Sequence, residues 1–183
     1  MLPLRPEGEG GRGDEGQNLW QTINVSGTGK VMTVKARQVN PSGTRIFMGT
    51  ITDKLAIHDA IAGIAKANVI TTASFDLLGG VHLVELSAYD FERQQRLAPI
   101  IVERPMEIIS GHGTISLLED DLHVHLHMSL AYRDDSSPTG IQVIAGHVAK
   151  AIAYAVEFTL TAYDGSPMHR ADHAGTGLKL WNI

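Results

Sequence analysis

The chain contains no cysteine, which excludes a disulfide framework, a thiolate zinc finger and a cysteine nucleophile. Aromatic residues are only 5% of it, so an aliphatic core has to carry the fold. No apolar run in the sequence approaches the roughly 18 residues a membrane helix needs. The opening Met1-Leu2-Pro3-Leu4-Arg5-Pro6 lacks the apolar stretch of a secretory signal. Basic charge is scarce too: 15 Lys and Arg stand against 20 Asp and Glu, a formal net charge of -5. That balance excludes a uniformly basic coat for nucleic acid, though not a local patch. There is no Gly-x-Ser-x-Gly elbow, which speaks against serine hydrolase chemistry. Gly27-Thr28-Gly29-Lys30 is no phosphate loop, because Asn24 and Val31 hold the places of its first glycine and its Ser/Thr. These absences leave a soluble protein, expected in the cytoplasm and without a membrane partner. At 183 residues it is large enough for one domain with a genuine core.

Residues 1–18 hold five glycines, two prolines, two arginines and four acids. Such a segment buries too little surface to offset its ordering entropy and reads as a mobile tail. Residues 19–183 read as a single domain. Strands are expected over 31–39, 45–51, 69–75, 81–89, 106–117, 122–130, 142–147 and 154–163, from β-branched runs and turn residues between them. Thr52 or Asp53 is positioned to cap one helix running to Ala67, with Leu55, Ile57, Ile61 and Ile64 as its apolar stripe. One helix among many strands joined by short turns indicates an α+β fold with a largely antiparallel sheet.

What is abundant is histidine: nine residues, three of them within Leu122-His123-Val124-His125-Leu126-His127-Met128-Ser129-Leu130. Strand side chains switch faces with period two, so the even residues form an apolar face and His123, His125, His127 and Ser129 share the other. Neighbouring imidazoles on such a face can each place one nitrogen on a zinc-class ion. A third ligand must come from another strand, and His147 in Ala145-Gly146-His147 is the best donor. The polar loop of residues 133–140 is long enough to return that strand beside the first, and Gly146 has no side chain to crowd a ligand. Three neutral imidazoles with an open fourth position suit a ligand-accepting or catalytic metal site. The bland alternative is a polar sheet face or a subunit interface. Imidazole suits several divalent metals, with zinc the first expectation.

Other features are weaker. His169 and His173 have helical metal spacing, but their glycine-rich surroundings indicate a surface loop. His112 sits among turn residues, in Ser110-Gly111-His112-Gly113-Thr114, where it would line a cleft or be exposed. His58 lies on the helix, and Glu119, Asp120 and Asp121 read as a solvated turn.

Glu107-Ile108-Ile109-Ser110-Gly111-His112-Gly113-Thr114-Ile115-Ser116, then residues 122–130, then Ala145-Gly146-His147 resemble the plants-and-prokaryotes-conserved (PPC) domain family. Upstream, the helix followed by Phe75-Asp76-Leu77-Leu78-Gly79-Gly80 fits the same order. The resemblance implies an antiparallel α+β domain assembled as a homotrimer. It also implies a metal held by His125 and His127, which match the family pair, and by His147, leaving His123 extra. Plant members carry AT-hooks in nuclear DNA-binding proteins; prokaryotic members stand alone and take a DNA-binding label from them. Here no AT-hook is present, Arg104-Pro105-Met106 replaces a family Gly-Arg-Phe, and Ala145 replaces a family glycine. DNA is therefore a doubtful partner, since duplex binding needs a cationic footprint.

The resulting expectation is a trimeric binding or regulatory protein with a histidine site for a metal or small ligand. The rival is a metal-dependent enzyme of hydrolase or lyase type, with Glu107 or Glu157 as candidate base. A cupin-like enzyme is disfavoured, because Ala131-Tyr132-Arg133 stands where that family places a Glu.

Overall fold

A computed structural model describes residues 20–27, 30–37, 40, 42–52 and 54–183. The proposed tail of residues 1–18 lies outside the described residues, as do Thr28, Gly29 and Asp53. The chain divides into two units, residues 1–38 and 39–183. The first contains an antiparallel hairpin of β1 (Trp20–Gly27) and β2 (Lys30–Arg37).

The second unit runs β3 (Thr44–Ile51), α1 (Ile57–Ala67), β4 (Ala73–Ser87), the short hairpin β5 (Tyr89–Asp90) and β6 (Gln95–Arg96), then β7 (Ile100–Leu118). It continues with β8 (Asp121–Arg133), β9 (Ile141–Tyr163), β10 (His169–His173) and β11 (Leu178–Trp181). Four long strands close on themselves: β4 pairs β7, β7 pairs β8, β8 pairs β9 and β9 pairs β4, all antiparallel. His147 is the hinge of that closure, paired on one side with His127 of β8 and on the other with Ser87 of β4. The sheet is therefore mostly antiparallel and barrel-like. β3 extends it along the second half of β9, and β10 joins the end of β7 in parallel before turning into β11.

The strands are longer than local patterning indicates. Residues 69–75 and 81–89 read as two strands, but β4 is continuous, because Gly79 at φ 111° carries the chain through an irregularity in its pairing with β7. A Cβ there would run into the Ala155 carbonyl. Residues 142–147 and 154–163 likewise belong to one strand, β9. Between β7 and β8, Glu119 and Asp120 both take positive φ, 52° and 69°, as a two-residue type I′ hairpin requires.

The helix starts later than expected. Ala56 is its N-cap and makes no side-chain cap bond. Ala56 instead bridges to Ile152, and the Leu55 carbonyl accepts the Ala153 N–H, so the outer edge of β9 supports the helix entry. Leu55 is exposed, whereas Ile57, Ile61 and Ala65 are fully buried. The core is mainly aliphatic, with Phe75 its largest fully buried side chain, and Leu126, Met128 and Leu130 supply the apolar face of β8. No helix among the described residues is long and apolar enough to cross a membrane.

Candidate metal centre

Because Leu126, Met128 and Leu130 are committed to the core, strand alternation turns His123, His125 and His127 to the opposite face. The register then decides which histidines meet. The pairing of His127 with His147 across β8 and β9 brings the distant third imidazole to the pair. Ring nitrogens of His125, His127 and His147 all lie within 4.8 Å of one another. Their ring centroids stand 5.0 Å apart for His125 and His127, 5.0 Å for His125 and His147, and 5.3 Å for His127 and His147. The Nε2 atoms of His125 and His127 are 3.1 Å apart, close to the edge of about 3.3 Å for a tetrahedron with metal–nitrogen bonds of 2.0–2.1 Å. His123 is further along, its ring 6.2 Å from that of His125, and it is outside the group of three.

The donor set fits a zinc-class metal on a second observation. Nδ1 of His147 is buried and has no hydrogen-bond partner, whereas buried polar atoms almost always find one. The imidazoles are also held neutral, as ligation requires. Burial first, then the charge of Arg170 and the neighbouring histidines, pushes His125 down to about 3. Burial first, then Arg96 and His127, pushes His147 down to about 4. His127 is lowered by burial and by His112 and Arg96, and His123 by burial and Arg170.

The glycines have roles other than the one the sequence suggests. A Cβ on Gly146 would stand 2.7 Å from the Ser87 carbonyl oxygen, so this glycine lets β4 and β9 approach rather than making room for a metal. Gly113 lies between Phe75 and the His125 carbonyl, both of which a Cβ would strike. His112 is not in a turn. It lies within β7, paired with His127, and lines a groove of about 670 Å³ with His125 and His127.

His169 and His173 bound strand β10 and are not in a loop. His173 Nδ1 lies 3.0 Å from the Thr176 hydroxyl, and His169 Nδ1 lies 3.8 Å from an Asp120 carboxylate oxygen. His58 is half-buried, bonded to the Val148 backbone and lowered in pKa chiefly by burial. Neither suggested carboxylate base reaches the histidines: Glu107 is an exposed residue paired with Ala131, and Glu157 lines a separate cavity with Asp76. Sequence reasoning missed the groove's other wall, Arg170, Leu180 and Trp181. His169-Arg170-Ala171-Asp172-His173 has one apolar residue among five and no apolar–polar alternation, so no local signal marked a strand there.

Fold and site together define a class: a one-helix, barrel-like antiparallel domain with three imidazoles gathered on adjacent strands. The model of the Plants and Prokaryotes Conserved (PCC) domain matches residues 38–164. The chain belongs to that family. Among solved structures, it is similar to a metal-containing protein from Archaeoglobus fulgidus at 24% identity and a TM-score of 0.68, over 76% of this chain and 94% of that one. A PPC protein from Pyrococcus horikoshii matches at 23% identity and a TM-score of 0.65, over 76% and 92%. A Bacteroides thetaiotaomicron protein with a provisional DNA-binding name matches at 18% identity and a TM-score of 0.64, over 90% and 98%. No curated protein matches the chain.

Proposed function

We propose that this protein is a trimeric metal-binding protein in which His125, His127 and His147 hold one divalent ion, zinc first among the candidates, with a position left for a small ligand. The observation that carries the reading is the convergence of three ring nitrogens from two strands within 4.8 Å, with an orphaned buried nitrogen on His147. The metal-containing name of the Archaeoglobus relative supports it. DNA is not the proposed partner. With a net charge of -5, affinity for random duplex at physiological salt is expected no tighter than about 10⁻⁴ to 10⁻⁶ M.

A second reading, a metal-dependent hydrolase or lyase, draws on the groove beside the histidines. A zinc-class ion bound there would supply a Lewis acid or an activated water. His112 lines that groove and is the candidate general acid or base for this reading, whereas Glu107 does not line it.

Elemental analysis of protein purified without chelator tests the leading reading, with native mass measured alongside. The expected result is one metal per chain in a particle near three times 19.7 kDa. Metal-free protein that also fails to take up added zinc overturns the site, and a sharp monomer peak overturns the assembly.

A further inference from the structure

The groove beside the histidines has one permanent cation on its lining, Arg170. This residue lies on β10, beyond the 38–164 span of the family match. Its guanidinium is anchored from two sides. Nε donates to the Ser116 hydroxyl at 2.9 Å and Nη2 to the Thr114 hydroxyl at 3.0 Å, while Nη1 donates to the Lys179 carbonyl at 3.0 Å. Thr114 is the direct cross-strand partner of His125, and Ser116 that of His123. The anchors therefore seat the charge one strand away from the proposed metal ligands.

A guanidinium has five N–H donors, and these bonds use three. One donor remains on each terminal nitrogen, and no carboxylate among the described residues pairs with Arg170. A half-buried Arg without a counter-ion, facing a groove, is a site for an anion. Beside it stand Leu180 and Trp181 from β11 and Ile183, with the Arg170 guanidinium 6.0 Å from the centre of the Trp181 ring.

We propose that the C-terminal hairpin β10–β11 makes the histidine groove a binding site for an organic carboxylate. Arg170 takes the carboxylate, and Leu180 and Trp181 take the hydrocarbon body. On the protein's own side chains, before the charge of any bound metal is added, the lining favours a monoanion over a phosphate group. Phosphate sites gather several backbone N–H groups or several cations, whereas this lining offers a single guanidinium. The proposal deepens the metal reading and rests on it for the groove's other wall, yet Arg170 is not a metal ligand, so the two can fail separately.

The test is calorimetric titration of zinc-loaded and chelator-stripped protein with benzoate, its neutral isostere benzamide, and inorganic phosphate. Metal content is measured on every sample. Benzoate is expected to bind and benzamide not, a comparison that needs no variant. Arg170→Gln should weaken benzoate roughly tenfold or more while keeping the wild-type metal content. Arg170→Lys, which retains charge and loses the anchored fork, should fall between. Trp181→Ala should weaken benzoate more than acetate. Equal binding of benzoate and benzamide, unchanged benzoate affinity in Arg170→Gln, or tighter binding of phosphate than benzoate by the chelator-stripped protein overturns the inference. Wild type that takes up no added zinc and still prefers benzoate through Arg170 upholds the anion site and overturns the metal reading instead.

Discussion

Two cavities on the same sheet make a useful contrast. One is the histidine groove of about 670 Å³; the other, of about 410 Å³, is lined by Met48, Asp76, Leu78, Glu157, Phe158 and Thr159. Each holds side chains that a motif search would mark, imidazoles in the first and two carboxylates in the second. Their registers differ. His127 and His147 are directly paired, with His125 two residues away on the same face. Asp76 is paired with Thr159 and Glu157 with Leu78, so the two carboxylates are offset diagonally and both are exposed. Residue type does not make a site; His147 does, because its register adds a third donor to a pair already sharing one strand face.

The largest effect should come from breaking that convergence. His147→Ala or His125→Ala is expected to lower metal affinity by more than about 100-fold, beyond the range for outer hydrogen-bond partners, with metal content per chain as the readout. Full metal occupancy in either variant would remove the contrast between the cavities.

Next comes the packing beneath the histidines. Gly113→Ala puts a methyl against Phe75 and the His125 carbonyl and is expected to cost about 1–3 kcal/mol of stability, measured by denaturant unfolding, with metal affinity falling alongside. Retention of wild-type stability would mean that β7 and β8 are not held as tightly as the groove requires.

A third prediction concerns pH. The unfolded chain takes up protons on its histidines as pH falls through about 6.5, while native His147 and His125 stay neutral until about 4 and about 3. In that window the unfolded state binds more protons, so their contribution to stability is complete above pH 6.5 and is lost as pH falls toward 4 and 3. The metal-free protein should therefore lose stability below pH 6.5, and His125→Gln with His147→Gln should flatten the slope. The same shifts mean that bound metal survives below pH 6. An unperturbed imidazole, all that sequence alone supports, places its release near 6. Release near 6 would show that burial does not hold the site neutral.

The smallest effects sharpen the contrast from the other side. Asp76→Asn, Glu157→Gln and His169→Ala should leave metal content unchanged and stability within about 0.5 kcal/mol. His123→Ala should also keep the metal, because its ring stands apart from the three. If His123→Ala empties the site and His127→Ala does not, the ligand pair lies two residues upstream.

Period-two alternation along residues 122–130 settled by itself that three histidines share one strand face, because apolar Leu126, Met128 and Leu130 leave them no other side. Composition settled an aliphatic core, and the isoleucine spacing placed the single helix to within a few residues. The tertiary structure alone decided the rest. Whether His147 meets His127 depends on pairing across a loop, and a shift of one residue would have turned it to the other face. The continuity of β4 and β9 depends on long-range ladders, which override the local turn signal at Gly79 and carry β9 through residues 148–153. Arg170 reaches the groove only because β10 joins β7 in parallel at Leu117 and Leu118, a contact between segments about fifty residues apart that no local pattern encodes.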